Sequence, residues 1–261
     1  MKKSFLAALL GVCCVLAGAF MVFAADYPNK PVSFIVAYDA GGGTDVSARM
    51  FEPYLKKYLG TTVGVVNKPG GNGEVGFSAI GQSSPDGYTI GMLNFPVFFI
   101  NMAIRKTSYS MENYEILAPM GGSEHTIGVA ADSPIKNLQD LIAEAKKTPG
   151  VLTVSSSGNF SDDYLAFLQF QKATGIDLIH VAFKGAGPAR TAVIGKHVNL
   201  IAFNVDEAIP FVKNGQIRLL GVMSAQRHPQ LPDVPTFKEQ GYEILSGSTR
   251  GIAAPKGLPR E

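Results

Sequence analysis

Short β-rich runs alternate with helix-period segments along most of the chain, and this alternation constrains the fold more than any other feature. Residues 32–37 form a β-rich run, and a glycine-rich turn follows. Across residues 45–59, Val46, Met50, Tyr54 and Leu55 recur at helical spacing. Pro53 falls inside that segment, where a proline favours a kink. Further strands are expected at 62–66, 88–93, 126–130, 152–155, 178–183, 198–203 and 218–223. Further helices are expected at 74–81, 138–147, 162–174, 188–194 and 206–214. Repeated βα units imply parallel sheets with helices on both faces. The expected class is therefore α/β.

The first residues read as an export signal. Lys2 and Lys3 precede an uncharged apolar run over residues 5–23, and Val22-Phe23-Ala24 has the small-residue spacing that a signal peptidase cuts. Cleavage after Ala24 is expected, with an uncleaved anchor as the alternative. A lipoprotein signal fits poorly, because Cys13 follows Val12 and Cys14 follows Cys13. Cleavage takes 24 of 261 residues and leaves 237, and it removes both cysteines. No disulfide framework, thiol nucleophile or zinc–thiolate site then remains. It also removes two of the 23 basic residues, which leaves 21 against 21 acidic ones. That balance gives no electrostatic reason to expect nucleic acid or anionic lipid as a partner. The remaining length fits one large domain or two smaller ones.

In an open α/β sheet, ligands bind beyond the carboxyl ends of the strands. The first strand-to-helix loop there is Tyr38-Asp39-Ala40-Gly41-Gly42-Gly43-Thr44-Asp45. Its glycines let backbone approach a ligand, and the following helix offers unpaired N–H groups that favour an anion. The alternative is a tight turn with Thr44 or Asp45 as helix cap. The second loop is Ser155-Ser156-Ser157-Gly158-Asn159-Phe160-Ser161, in which Ser161 is a natural N-cap. A nucleophilic serine lacks the Gly-x-Ser-x-Gly elbow. A third loop holds Lys184 and Gly185 ahead of Pro188, which suits a first helical turn. Lys184 reads either as a solvated lysine or as a group that orders the cleft. Asn94 and Asn204 end two further strands, with Asp206 just beyond.

Other patterns are weaker. Gly71, Gly73 and Gly76 match Gly-x-Gly-x-x-Gly, but the next strand ends at Leu93-Asn94-Phe95 without the carboxylate that a dinucleotide ribose needs. These glycines are expected to serve turns and packing. His180 is expected in the core, and His125, His197 and His228 on loops or at the surface. No His/Asp/Glu cluster has metal-ligand spacing, so neither a metal nor a cofactor is expected.

Several tracts together resemble the solute-binding receptors of tripartite tricarboxylate transporters, the Bug family. They are Tyr27-Pro28 with Pro31-Val32; Gly41-Gly42-Gly43-Thr44-Asp45; Asn67-Lys68-Pro69-Gly70 with Gly73 and Gly76; and Pro85-Asp86-Gly87-Tyr88-Thr89. The second half adds Ser156-Ser157-Gly158-Asn159, His180-Val181, Lys184-Gly185, Pro188-Ala189, Leu231-Pro232-Asp233-Val234-Pro235-Thr236 and Gly251-Ile252-Ala253-Ala254-Pro255.

The resemblance implies a two-lobed Venus-flytrap fold with mixed, mostly parallel sheets. Lobe 1 would take residues 25–122 and 247–261, and lobe 2 residues 123–246. It implies a periplasmic, non-catalytic monomer. Such a receptor captures a small organic carboxylate and passes it to a membrane permease. By the family pattern, Gly41, Gly42, Thr44 and Asp45 face Ser156, Ser157, Gly158 and Asn159 across the ligand. Two departures stand out. Tyr38-Asp39-Ala40 replaces an aromatic followed by prolines, and Asp39 would repel a carboxylate unless it faces solvent or meets a cationic group. Thr249-Arg250 replaces an aromatic pair, and Arg250 is expected either to pair with a carboxylate or to face solvent. A carboxylate sensor and a secreted serine hydrolase stand as alternatives.

Overall fold

A computed structural model describes residues 27–259, and the expected signal segment lies outside them. The first half runs β1 (Val32–Val36), α1 (Gly43–Leu59), β2 (Val63–Asn67), α2 (Glu74–Gly81), β3 (Thr89–Phe95) and α3 (Val97–Ile104). A long strand, β4 (Tyr114–Ala130), leads into the second half. There follow α4 (Leu138–Lys147), β5 (Thr153–Ser156), α5 (Asp162–Thr174), β6 (Ile179–Ala182), α6 (Ala186–Ile194), β7 (Leu200–Asn204), α7 (Val205–Lys213) and β8 (Ile217–Val222). Strand β9 (Gly247–Pro255) closes the order.

The strands line up as β2-β1-β3-β9-β4-β7-β5-β6, with β8 also on β4. Within the βα units the pairing is parallel: β1 with β2 and β3, and β5 with β6 and β7. Strands β4 and β9 make the sheet mixed. β9 is antiparallel to β3 and to β4, and β4 is antiparallel to β7 and β8. Strand β4 changes partners along its length. Residues up to Glu124 face β9, and residues from His125 face β7 and β8. One strand therefore belongs to both halves of the molecule.

Both halves bury their central strand on two faces. In β1, Val32, Phe34 and Val36 pack on one side with Ala48 of α1. Ile35 packs on the other side with Phe77 and Ile80 of α2 and Phe98 of α3. In β7, Leu200 and Ala202 join Leu141, Phe167 and Phe170, whereas Ile201 and Phe203 join Ala189, Val193 and Ala208. The period-2 side-chain alternation of a strand puts a helix layer on each face. Each large apolar side chain so buried contributes about 1.5–3 kcal/mol.

Three elements were not expected. Helix α3 is apolar nearly all round and gives no amphipathic signal. The first part of β4 contains Pro119, Gly121 and Gly122, which read as breakers; the strand carries them at register shifts after Ile116 and after Pro119. Strand β9 was seen only as a motif. The glycine decoy has the expected structural use: Gly71 and Gly73 have φ of 58° and 89°, and a Cβ on Gly76 would lie 2.4 Å from Ala37 Cα. Helix α2 can approach β1 only because that Cβ is missing.

Candidate functional site

Four helix N-termini converge on one cavity. Its lining includes Gly42, Gly43 and Thr44 at the start of α1, Asp162 and Asp163 at α5, Gly185 to Pro188 at α6, and Asn204 and Glu207 at α7. Tyr38, Asp39, Ala40, Asn94, Ser157 and Arg250 complete the wall. The cavity is small, about 50 Å³. A larger one of about 680 Å³ adjoins it and shares Tyr38, Asp39, Ser157 and Gly185; it adds Gly158, Asn159 and Lys184.

The glycine loop is braced from behind. Buried Asp45 accepts from Gly41 N at 2.9 Å, from Arg49 Nε at 2.9 Å and from Asn67 Nδ2 at 2.9 Å. Burial pushes its pKa up, but these hydrogen bonds outweigh it and the carboxyl stays below the usual range. Asp45 lines neither cavity, nor does Gly41, whose φ of 83° makes the turn. The helix cap is Gly42, which has no side-chain hydrogen bond to offer, so Thr44 and Asp45 do not cap. Thr44 instead accepts from Asn94 Nδ2 at 2.7 Å.

The serine loop splits its three serines. Ser157 lines both cavities and donates to Asp163 Oδ2 at 2.5 Å. Ser156 is fully buried and lines neither; its hydroxyl meets His180 Nε2 at 2.7 Å. This Ser–His contact is the strongest geometric case for a hydrolase among the described residues. It fails because Ser156 is sealed from both cavities and also bonds the Gly158 carbonyl at 3.1 Å. His180 is half-buried rather than a core residue, and stacks on Phe167. Ser161 caps α5 as expected, accepting from Tyr164 N at 3.1 Å. Gly185 caps α6 with φ of 116° and no side-chain hydrogen bond.

Arg250 neither faces solvent nor stands free. It lies 7% exposed on β9, in register with Asn94. Its guanidinium donates to Asp206 Oδ2 at 3.0 Å and lies 3.8 Å from Glu207 Oε1. Asp206 is thus a partner of Arg250 rather than a wall residue. Glu207, which the sequence reading passed over, also accepts from Gly43 N at 3.1 Å. A Cβ on Gly43 would lie 2.3 Å from that carboxylate oxygen, so a side chain there would displace Glu207 and break the bond. A second bridge between the halves runs from Asn72 Nδ2 to the Phe160 carbonyl at 2.9 Å.

The largest correction concerns His125. It was expected on a loop or at the surface, but it is 1% exposed within β4. Its ring contacts Ser246 Oγ at 3.0 Å, Asp162 Oδ2 at 3.4 Å and Asp163 Oδ1 at 3.8 Å. Strand β4 alone looked like an ordinary apolar run, and two acids after a serine cap look like ordinary first-turn helix residues. Burial pushes His125 toward its neutral form, but the hydrogen bond and charge of Asp162, with Asp163 and Glu207, outweigh it and raise its pKa. Burial pushes Asp162 up, but the hydrogen bond and charge of His125 outweigh it and hold its carboxyl below the usual range. Burial, then the Asp162 charge, raises Asp163 to about 7. Burial, then Asp163 and Asp206, raises Glu207 to about 8. His125, Asp162 and Asp163 each offer a donor atom, all within 4.8 Å, so a metal would find ligands that local spacing does not reveal.

Five polar atoms of the small cavity's wall residues are buried without a hydrogen-bond partner. They are Tyr38 Oη, Asn94 Oδ1, Asp163 Oδ1, Glu207 Oε2 and Arg250 Nε.

Residues 47–261 match the family model described as the tripartite tricarboxylate transporter family receptor. The chain is 33% identical over 231 residues to the "UPF0065 protein in gbd 5'region" of Cupriavidus necator, covering 88% of this chain and 70% of that protein. Among solved structures, the periplasmic binding protein BugD superposes with a TM-score of 0.84 at 30% identity, over 90% of this chain and 79% of that one. R. palustris Rpa4515 with adipate superposes at 0.86 with 26% identity, over 90% and 79%.

Proposed function

Because this chain belongs to the tripartite tricarboxylate transporter family of receptors, we propose that it binds a small organic carboxylate in the cavity between its two halves. The observation that carries this reading is the convergence of four helix N-termini on that cavity. The first N–H groups of a helix have no intrahelical partner, and the helix dipole adds partial positive charge there. Gly42 and Gly185 cap their helices without a side-chain hydrogen bond, which leaves the N–H groups of Thr44, Ala186 and Gly187 open to a ligand oxygen, whereas those of Gly43, Asp206 and Glu207 already donate to Glu207 Oε1, Ser123 Oγ and Asp206 Oδ1. Arg250 Nε adds an unpartnered donor. The related structure holding adipate supports the ligand class.

In this reading Gly42, Thr44, Asn94, Ser157, Gly185, Asn204 and Arg250 line the deep part of the site. Gly158, Asn159 and Lys184 line its outer part. Residues 25–122 with 247–261 form one lobe, and 123–246 the other. The switch of β4 from β9 to β7 and β8 after Glu124 supports a hinge near that boundary. The protein is exported to the periplasm, acts as a monomer without catalysis, and delivers its ligand to the membrane permease of the transporter.

Thermal denaturation of the purified protein with mono-, di- and tricarboxylates tests the ligand class. Binding raises the transition by mass action. A rise with sugars, and none with any carboxylate, overturns the reading.

A further inference from the structure

The donors on one side of the cavity are already held from the other half of the molecule. Gly43 N, the first N–H of α1, donates to Glu207 Oε1 at 3.1 Å. The Arg250 guanidinium on β9 donates to Asp206 Oδ2 at 3.0 Å and lies 3.8 Å from the same Glu207 oxygen. Both carboxylates belong to the first turn of α7. Acids in a first turn ordinarily serve their own helix. Asp206 does so, because its Oδ1 accepts from Glu207 N at 2.9 Å. Glu207 does not: its Oε1 accepts from Gly43, and its Oε2 has no partner among the described residues. Its side chain is 8% exposed, and a buried carboxylate is costly unless charge and hydrogen bonds compensate it. A helix N-terminus beside a guanidinium gives that compensation, and the same arrangement suits the carboxylate of a ligand. The fit is close: a Cβ on Gly43 would lie 2.8 Å from Glu207 Cγ and 2.9 Å from Arg250 Nη2.

We propose that Glu207 is an internal competitor for the ligand: its carboxylate occupies the anion position between the α1 N-terminus and Arg250, and a carboxylate ligand binds there by displacing it. The proposal rests on the carboxylate reading above and adds what limits affinity at that site. Two carboxylates gathered on one N–H group and one guanidinium repel each other at close range. Space excludes them as well, since the cavity there is about 50 Å³. Binding is therefore an exchange, in which the bonds of Glu207 to Gly43 and Arg250 are traded for those of the ligand. Separation of the halves allows that exchange, because Gly43 and Arg250 fall in one lobe of the proposed division and Glu207 in the other. The apparent affinity is lowered in proportion to the share of molecules in which Glu207 holds the position. Glu207 thus sets a threshold. An acid that makes only the bonds of Glu207 gains little, and one that also reaches the N–H groups of Thr44, Ala186 and Gly187 in the cavity wall gains more.

Titration calorimetry with succinate, adipate and citrate on the wild-type protein, Glu207→Ala and Glu207→Gln tests the proposal. The expected result is at least one acid that Glu207→Ala binds more tightly than the wild type, by about tenfold, or that only the variant binds. Glu207→Gln keeps the shape and an acceptor for Gly43 but loses the charge, so its affinity should fall between the two. It carries the same comparison if Glu207→Ala fails to fold. A residue that serves structure alone, or that helps to hold the ligand, gives no such gain when it is removed. Equal or weaker binding of every acid by the variants therefore overturns the proposal and leaves the carboxylate reading in place. Binding of no acid by any of the three proteins overturns both.

Discussion

Arg250 lies buried beside two carboxylates, Asp206 and Glu207, and that placement sets its predicted behaviour. Arg250→Ala removes the hydrogen bond to Asp206, whereas Glu207, whose carboxyl is already raised to about 8, takes up a proton instead of standing as an unpaired charge. We expect a loss of about 1.5–3 kcal/mol in urea denaturation, in addition to any loss of ligand affinity; an unchanged midpoint would mean that the pair contributes nothing. The acidic cluster predicts a pH dependence. Asp163 and Glu207 titrate near 7 and 8 when folded, against roughly 4 when unfolded. The folded state then binds more protons across that window, so stability falls as pH rises from about 5 to about 8. His125 acts in the same direction: its pKa is raised by Asp162, so its contribution is present below its unfolded value and is lost as pH rises through the folded one. The denaturation midpoint should therefore fall over this range, and Glu207→Gln should flatten the slope. A flat wild-type profile would contradict the burial of these groups.

Among the elements, close packing and capping set the expectations. At Gly76 an added Cβ would sit 2.4 Å from Ala37 Cα and 3.0 Å from the Lys68 carbonyl. These are backbone atoms, so helix α2 must move away from β1. Gly76→Ala should cost about 1–3 kcal/mol, read by thermal or chemical denaturation. Ser161→Ala removes the side-chain cap of α5, and about 1 kcal/mol should go with it. The same helix sets the positions of Asp162 and Asp163, so fraying there should also weaken ligand binding. At this scale much was legible in advance: α2, α4 and α5 have the bounds that their periodicity and caps predict. Helix α3 and the start of β4 were not legible, because an all-apolar helix has no face and a bulged strand carries glycine and proline as a loop does.

The whole molecule is two packed halves joined by β4 and by contacts across the site. Gly43 to Glu207 and Asn72 to Phe160 bridge the halves. A ligand that closes them further, or replaces one of these bonds, acts on the same equilibrium. Asn72→Ala removes one bridge, worth about 1 kcal/mol. If that bond forms only when the halves close, ligand affinity should fall about fivefold while the unfolding midpoint stays nearly constant. Titration calorimetry and denaturation on the same sample separate the two effects. An equal loss in both would make Asn72 an ordinary structural residue.

Local rules carried the sequence as far as the frame. Strand and helix periods, glycine where φ is positive, and a serine before a helix depend on residues close together in the chain, so the alternation and both Gly/Ser loops could be read directly. The character of the site depends on distance in sequence. Gly43, Asn94, Asp163, Glu207 and Arg250 line one cavity only because β3, β9 and the helix N-termini are stacked beside one another. Burial then changes what those residues are: it binds Arg250 to internal carboxylates, raises two acids toward neutral pH, and turns a histidine on an unremarkable strand into the partner of Asp162. Charge in a low-dielectric interior is set by its neighbours, and only the tertiary structure decides who those neighbours are.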